Sequence, residues 1–286
     1  MDKSKLGWIA WSILPVLGLA YHFGPGQGVY RQDRAAGMLV KAASLDERAQ
    51  SAQNLAHERH LAWVSARKQA IASKAPADER AAEVAAKDAD EAYALASSAW
   101  RATAEQLGSA QGLLDEIGSP KSGEVRVARN RALIRAGEIS AGVNDLESLL
   151  SEMTDKGLQE TSLAKQARAE MAAGYYYGAR LLRLSGKPTS EWMEAASWAR
   201  QNFRYIAEAE AGTPGDQQKN LELALNLEQH EGDDLVALPL ARNSPCNGNC
   251  ENLGKGKGKG KGKKKQPSEN KDSRGAGGEE DIPPGW

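Results

Sequence analysis

Cysteine is scarce: Cys246 and Cys250 are the whole supply in 286 residues. Two thiols exclude a disulfide-stapled miniprotein and a zinc ribbon of four cysteines. Phenylalanine occurs twice, and the aromatic residues together make up only 6% of the chain, while alanine recurs in almost every window. Strands want β-branched and aromatic residues, so a sandwich, a barrel and a parallel α/β sheet are disfavoured. Net charge is nearly absent as well, 37 Lys+Arg against 38 Asp+Glu giving -1, so the chain as a whole is no bulk binder of polyanions. Neither a GxxxxGKS/T nor a GxGxxG motif follows a strand pattern, which leaves nucleotide binding without support. Carboxylates are plentiful but fall beside Arg or Lys on helix faces, as in Asp46-Glu47-Arg48 and Asp78-Glu79-Arg80. No catalytic set stands out of that background, and the expectation is a chain that is not an enzyme and carries no cofactor.

What is present begins with an apolar run. Residues 6–23 hold no Asp, Glu, Lys or Arg; Lys3 and Lys5 precede them, and Gly24-Pro25-Gly26 follows. Such a run is at the short end of what spans a bilayer, where about 17–25 residues are needed. Trp8, Trp11 and Tyr21 lie towards its ends, where amphipathic rings favour the headgroup level. Residues 1–24 therefore read as a signal-anchor, with the lysines on the cytoplasmic side and the body exported to the periplasm as a single-pass inner-membrane protein. Small residues at Gly18-Leu19-Ala20 leave open a cleaved signal peptide and a secreted chain.

The rest of the body reads as all-α. Residues 29–74 contain no proline and one glycine, with Met38, Ala42, Leu45, Ala49, Ala52, Leu55, Ala56, Ala62, Ala66 and Ala70 at helical spacing. Ala75-Pro76-Ala77-Asp78 breaks the run, Asp78 reads as the next N-cap, and residues 79–117 are helical again. This pair, 29–117, predicts a long alanine-rich antiparallel hairpin of coiled-coil character. Alanines bury little area each, so it should be mobile or need a partner. Shorter helices richer in large apolar residues follow within 119–232, at about 124–136, 140–153, 158–184, 189–211 and 217–229. Pairs such as Gly186-Lys187 with Pro188 punctuate them. His57 and His60, three apart on one helix face, read as a surface pair rather than a metal site, since a zinc-protease helix spaces its histidines by four.

Within that second region, residues 130–150 resemble a tetratricopeptide repeat. Leu133 fills the large position of the first helix, Gly137 the turn glycine, Ile139 the opening of the second helix, and Gly142 the small contact residue before Leu146 and Leu149. Residues 169–210 look like a stretched second copy, with Leu182, Gly186, Ala196 and Phe203 at matching places. The spacing from Gly137 to Gly186 departs from the family period, and Arg200 stands where Leu146 leads one to expect an apolar side chain. The resemblance implies a solenoid of helical pairs that binds other proteins. In layout (anchor, helical repeats, charged glycine-rich tail) the chain is similar to Bat-type aerotolerance-associated repeat proteins.

Residues 241–286 change character. The run 254–265 alternates Gly with Lys255, Lys257, Lys259, Lys261 and Lys263 and ends on Lys264 and Lys265. It holds seven lysines and no acid; removing them from a net charge of -1 leaves -8 on the remainder. Such a sequence cannot bury enough area to offset backbone entropy and reads as a disordered tail. Its lysines are candidates for a polyanion: anionic lipid, nucleic acid or an acidic protein face. Cys246 and Cys250 are candidates for a local disulfide in an exported chain. Tyr175, Tyr176, Tyr177, Trp192 and Trp198 are the candidate partner-binding aromatics, core residues first and binding anchors where they reach a surface. Together these readings predict a membrane-anchored, extracytoplasmic helical scaffold for protein–protein interaction. The alternative is a polyanion-binding protein acting through its tail, whose binding would weaken steeply with salt.

Overall fold

The structure is a computed structural model that describes residues 3–209 and 216–239. The described residues are all-helical, with no strand. Helix α1 (Lys3–Phe23) leads across Gly24 into α2 (Pro25–Ser73), and α3 (Pro76–Glu116) returns along it. Five further helices follow, α4 (Ser122–Arg135), α5 (Ile139–Asp155), α6 (Ser162–Leu184), α7 (Thr189–Ala209) and α8 (Asp216–Gln229), and then the single turn α9 (Gly232–Val236).

The N-terminal expectation is corrected. Among the described residues, no helix is long and apolar enough to cross a membrane. The charge-free run is eighteen residues, at the lower limit for a span, and Pro15 lies within it. The single-pass inner-membrane anchor falls with that finding, and with it the ground for placing the body in the periplasm.

In the hairpin, buried small residues repeat every seven positions: Ala35, Ala42, Ala49 and Ala56 on α2, where half-buried Trp63 takes the next place before Ala70, and Ala89, Ala96, Thr103 and Ala110 on α3. A seven-residue repeat keeps one seam facing the partner helix, as in a coiled coil. The seam is unevenly filled. At the base, Leu39, Trp100, Leu107 and Leu114 join Val125, Ala128, Ala132 and Ala136 of α4 in one core; further out, the cluster shrinks to Ala56, Ala92 and Ala96 with Ala52 and Tyr93 beside them. The turn between the helices uses Lys74 at φ 51. Asp78 is not the cap: Ala75 holds that place, Pro76 opens α3, and the Asp78 carboxylate accepts bonds from Ser73 Oγ and Gln69 Nε2 across the turn.

From α4 to α8 each helix packs on the next, and α4 also meets α6, and α6 meets α8. Val127, Ile134, Val143, Leu146, Tyr176, Leu182, Trp192 and Phe203 are the larger members of the shared core. Four helix ends are built alike, at Gly118, Gly137, Gly157 and Gly186, and two of them are the turn glycines of the repeat pattern. Gly137 (φ +92) and Gly186 (φ +71) turn the chain in the left-handed region, and the residue after each donates back to the last turn, Glu138 N to Leu133 O at 2.9 Å and Lys187 N to Leu182 O at 3.0 Å. Backbone contact is closest at Gly142 and Gly174. A Cβ on Gly142 would stand 2.7 Å from Ile134 Cγ1, and one on Gly174 2.5 Å from Val143 Cγ2.

Polar bonds concentrate where the hairpin meets this stack. Asp46 of α2 pairs with Arg131 of α4 at 2.9 Å, Ser97 Oγ donates to Ala136 O at 2.6 Å, and Arg101 pairs with Glu138 at 2.9 Å. Between them, fully buried Trp100 donates from Nε1 to Gln53 Oε1 while the Arg135 guanidinium lies 5.2 Å from the centre of its ring. A second knot ties α4 to α5: Arg126 donates to both carboxylate oxygens of Asp145 and to Glu152, and Asn130 also donates to Asp145. Burial alone would raise the Asp145 pKa, but these donors outweigh it and hold the carboxyl below its usual range.

Candidate interaction sites

The five candidate aromatics separate into two environments. Tyr176, Tyr177 and Trp192 are buried. Tyr176 and Tyr177 meet edge to face, and Tyr176 donates its hydroxyl to Pro239 O at 2.7 Å. Trp192 carries the Arg183 guanidinium 4.6 Å from its ring centre. Burial pushes the hydroxyl pKa of both tyrosines upward. These three are core.

Tyr175 and Trp198 face outward on adjacent helices. Trp198 is 47% exposed, and its ring stacks on half-buried Tyr175 with centroids 6.4 Å apart. The Tyr175 hydroxyl donates to Glu147. Burial, this bond and the nearby charges of Glu147 and Glu194 all raise its pKa, so the phenol stays protonated. Seven residues along each helix the arrangement recurs. Arg168 lies 4.5 Å from the ring centre of Tyr205, and the Tyr205 hydroxyl donates to Glu160 at 2.8 Å. The α6–α7 seam thus presents two ring contacts in line, each pinned by a carboxylate. Sequence reading singled out Tyr175 and Trp198 but passed over Arg168 and Tyr205; the seven-residue spacing from each to its partner was the available signal.

A second cluster lies between the hairpin and α6. His57 and His60 are not a surface pair. His57 is buried, and the His60 ring packs against Trp63 at 5.3 Å and edge-on to Tyr93 at 5.8 Å, centroid to centroid. His60 Nε2 lies 3.0 Å from Val236 O; a carbonyl only accepts, so Nε2 carries the proton. Arg180 of α6 donates to the same oxygen at 2.9 Å. Desolvation lowers the His60 pKa from 6.5, against the raising effect of the Val236 bond; Arg180 lowers it further and Asp90 raises it. Burial pushes the neighbouring Tyr93 phenol up to about 12, with Arg180 working against it.

The sign follows from linkage. The unfolded chain protonates His60 near 6.5 while the folded chain resists, so stability is full above that pH and falls as the pH drops below it. Melting temperature should therefore decrease from pH 7 to pH 5. In His60→Gln that decrease should shrink, because the amide donates to Val236 O without titrating. An unchanged pH slope in the variant would place the titrating group elsewhere.

Among the described residues no group of His, Cys, Asp and Glu is placed to hold a metal ion. Cys246, Cys250 and the lysines from Lys255 to Lys265 lie outside the described residues. No protein-family model, no curated protein and no solved structure matches the chain.

Proposed function

We infer that the chain is a helical scaffold that binds another protein through the outward α6–α7 seam. The observation that carries this reading is the Tyr175–Trp198 stack, with Trp198 47% exposed and both rings held in place. Pre-ordered aromatics lose little side-chain entropy on binding and supply much of the energy at protein interfaces. Glu147 and Glu194 beside Tyr175 make the local potential negative, and ring faces attract cations. The fitting partner is a segment presenting Arg or Lys beside an apolar side chain. A tetratricopeptide-like arrangement of α4 to α7 remains part of the proposal, on the strength of Gly137, Gly142 and Gly186. The lysine run supports a second reading from sequence alone, a polyanion bound by Lys255 to Lys265.

The test is site-specific photocrosslinking in cells of the native host. A photoreactive phenylalanine replacing Trp198 should give a discrete adduct that Glu147→Lys with Glu194→Lys diminishes. The same probe replacing Val84, exposed on the hairpin, should give none. Absence of an adduct at 198, or equal adducts at both positions, would defeat the reading.

A further inference from the structure

The last described segment of the chain lies in a groove whose walls come from helices distant in sequence. Leu235 and Leu238 are buried in the core shared by α4 to α8. Three main-chain contacts hold the segment. Val236 O accepts from His60 of α2 and Arg180 of α6, and Pro239 O accepts from Tyr176 of α6. Tyr93 of α3 packs on His60 and completes the wall on the hairpin side. Arg180 is 8% exposed, and its Nε has no hydrogen-bond partner.

These contacts resemble recognition of a ligand more than the interior of a fold. The side-chain donors address main-chain carbonyls, which any peptide offers. Selectivity comes from two leucines three residues apart and the proline after them. The segment itself has a single helical turn and one further internal bond, Leu238 N to Leu235 O at 3.2 Å. An element with so few bonds of its own opens at lower cost than the helices around it. Its departure would leave three oriented donors and two leucine-sized apolar sites in place.

We propose that this groove is a peptide-binding site, occupied in the free protein by the chain's own residues 235–239. Its ligand in a partner protein is a short segment with two aliphatic side chains three positions apart followed by proline. The segment in cis competes through its high effective concentration, so a partner gains access by displacing it. The inference rests on the reading of the chain as a scaffold for other proteins but uses a different surface from the α6–α7 seam. Crosslinking at 198 and peptide binding in the groove therefore succeed or fail separately.

The experiment uses the full chain and a fluorescein-labelled peptide of residues 232–240, Gly-Asp-Asp-Leu-Val-Ala-Leu-Pro-Leu, read by anisotropy. Leu235→Asp with Leu238→Asp empties the groove in cis. That variant should bind the peptide at least tenfold more tightly than the unaltered chain, and adding Arg180→Ala should cancel the gain. A scrambled peptide should bind neither protein. Equal affinity of the unaltered chain and the folded double variant would overturn the proposal. Should the double variant lose its helical circular dichroism, hydrogen exchange on the unaltered chain decides instead. Amides of residues 235–238 exchanging at least a hundredfold faster than those of Tyr176 and Ala179 supports a detachable segment. Equal rates would make it a core element and overturn the proposal.

Discussion

Gly174→Val is expected to destabilise the protein by about 3 kcal/mol, the upper part of the usual range for overpacking. A Cβ at 174 would stand 2.5 Å from Val143 Cγ2 of α5 and 3.1 Å from Ile134 Cδ1 of α4. Both neighbours are buried branched side chains with little room to turn away. Gly174→Ala sharpens the argument, because intrinsic helix propensity favours alanine over glycine by about 1 kcal/mol. In α6 the clash outweighs that preference and the sign is destabilising. At Gly37 and Gly112, helical glycines with nothing within 4 Å of an added Cβ, the same change should stabilise by about 0.4–1 kcal/mol. Thermal melts of the three alanine variants check the pattern. A stabilised Gly174→Ala would mean that α4, α5 and α6 do not approach as closely as described.

Trp100→Ala should cost about 3–5 kcal/mol, the range for removing a large buried aromatic. The ring is fully buried, bonded to Gln53 and covered by Arg135, at the junction of α2, α3 and α4. Its loss opens a cavity, removes the face on which the Arg135 cation rests and takes a donor from buried Gln53. For a chain of this size the melting temperature should fall by roughly 10 °C, at about 2–4 °C per kcal/mol. Trp100→Phe should lose less, since it keeps most of the volume and gives up the Nε1–H bond. Hydrogen exchange adds a second reading, with amides at the hairpin base, around Leu39 and Leu107, losing protection before those around Phe203. A melt unchanged within about 1 kcal/mol would show that Trp100 does not hold the junction.

Much of the architecture was readable because helices are local objects. The absence of proline across α2, the break at Ala75-Pro76 and the glycines at 137 and 186 all act within a few residues, and they set the ends of α2 to α6 closely. Gly142 was readable as a contact residue only through the tetratricopeptide resemblance, and the structure does bring it against Ile134. The N-terminal run shows where composition misleads, since an unbroken stretch without charge is a weaker condition than a helix apolar enough for lipid.

The candidate sites divide along the same line. An aromatic cluster announces a core but not which ring faces out; Tyr175 and Tyr176 are neighbours in sequence and point to opposite environments, one turned to Trp198 and the other to Pro239. His60 reads as a surface residue because a pair three apart does not fit a metal site, yet the oxygen it meets belongs to Val236, 176 residues away. Gln53, Arg135 and Arg180 are polar residues that sequence assigns to solvent by default, yet the packing of the helices buries all three. By itself the sequence determined which stretches are helical and roughly where they stop, because propensity, breakers and periodicity act over a few residues. Only the tertiary structure decided which faces meet, which aromatics remain outside and which donors converge on the terminal segment, because those follow from contacts between residues scores of positions apart that no local period encodes.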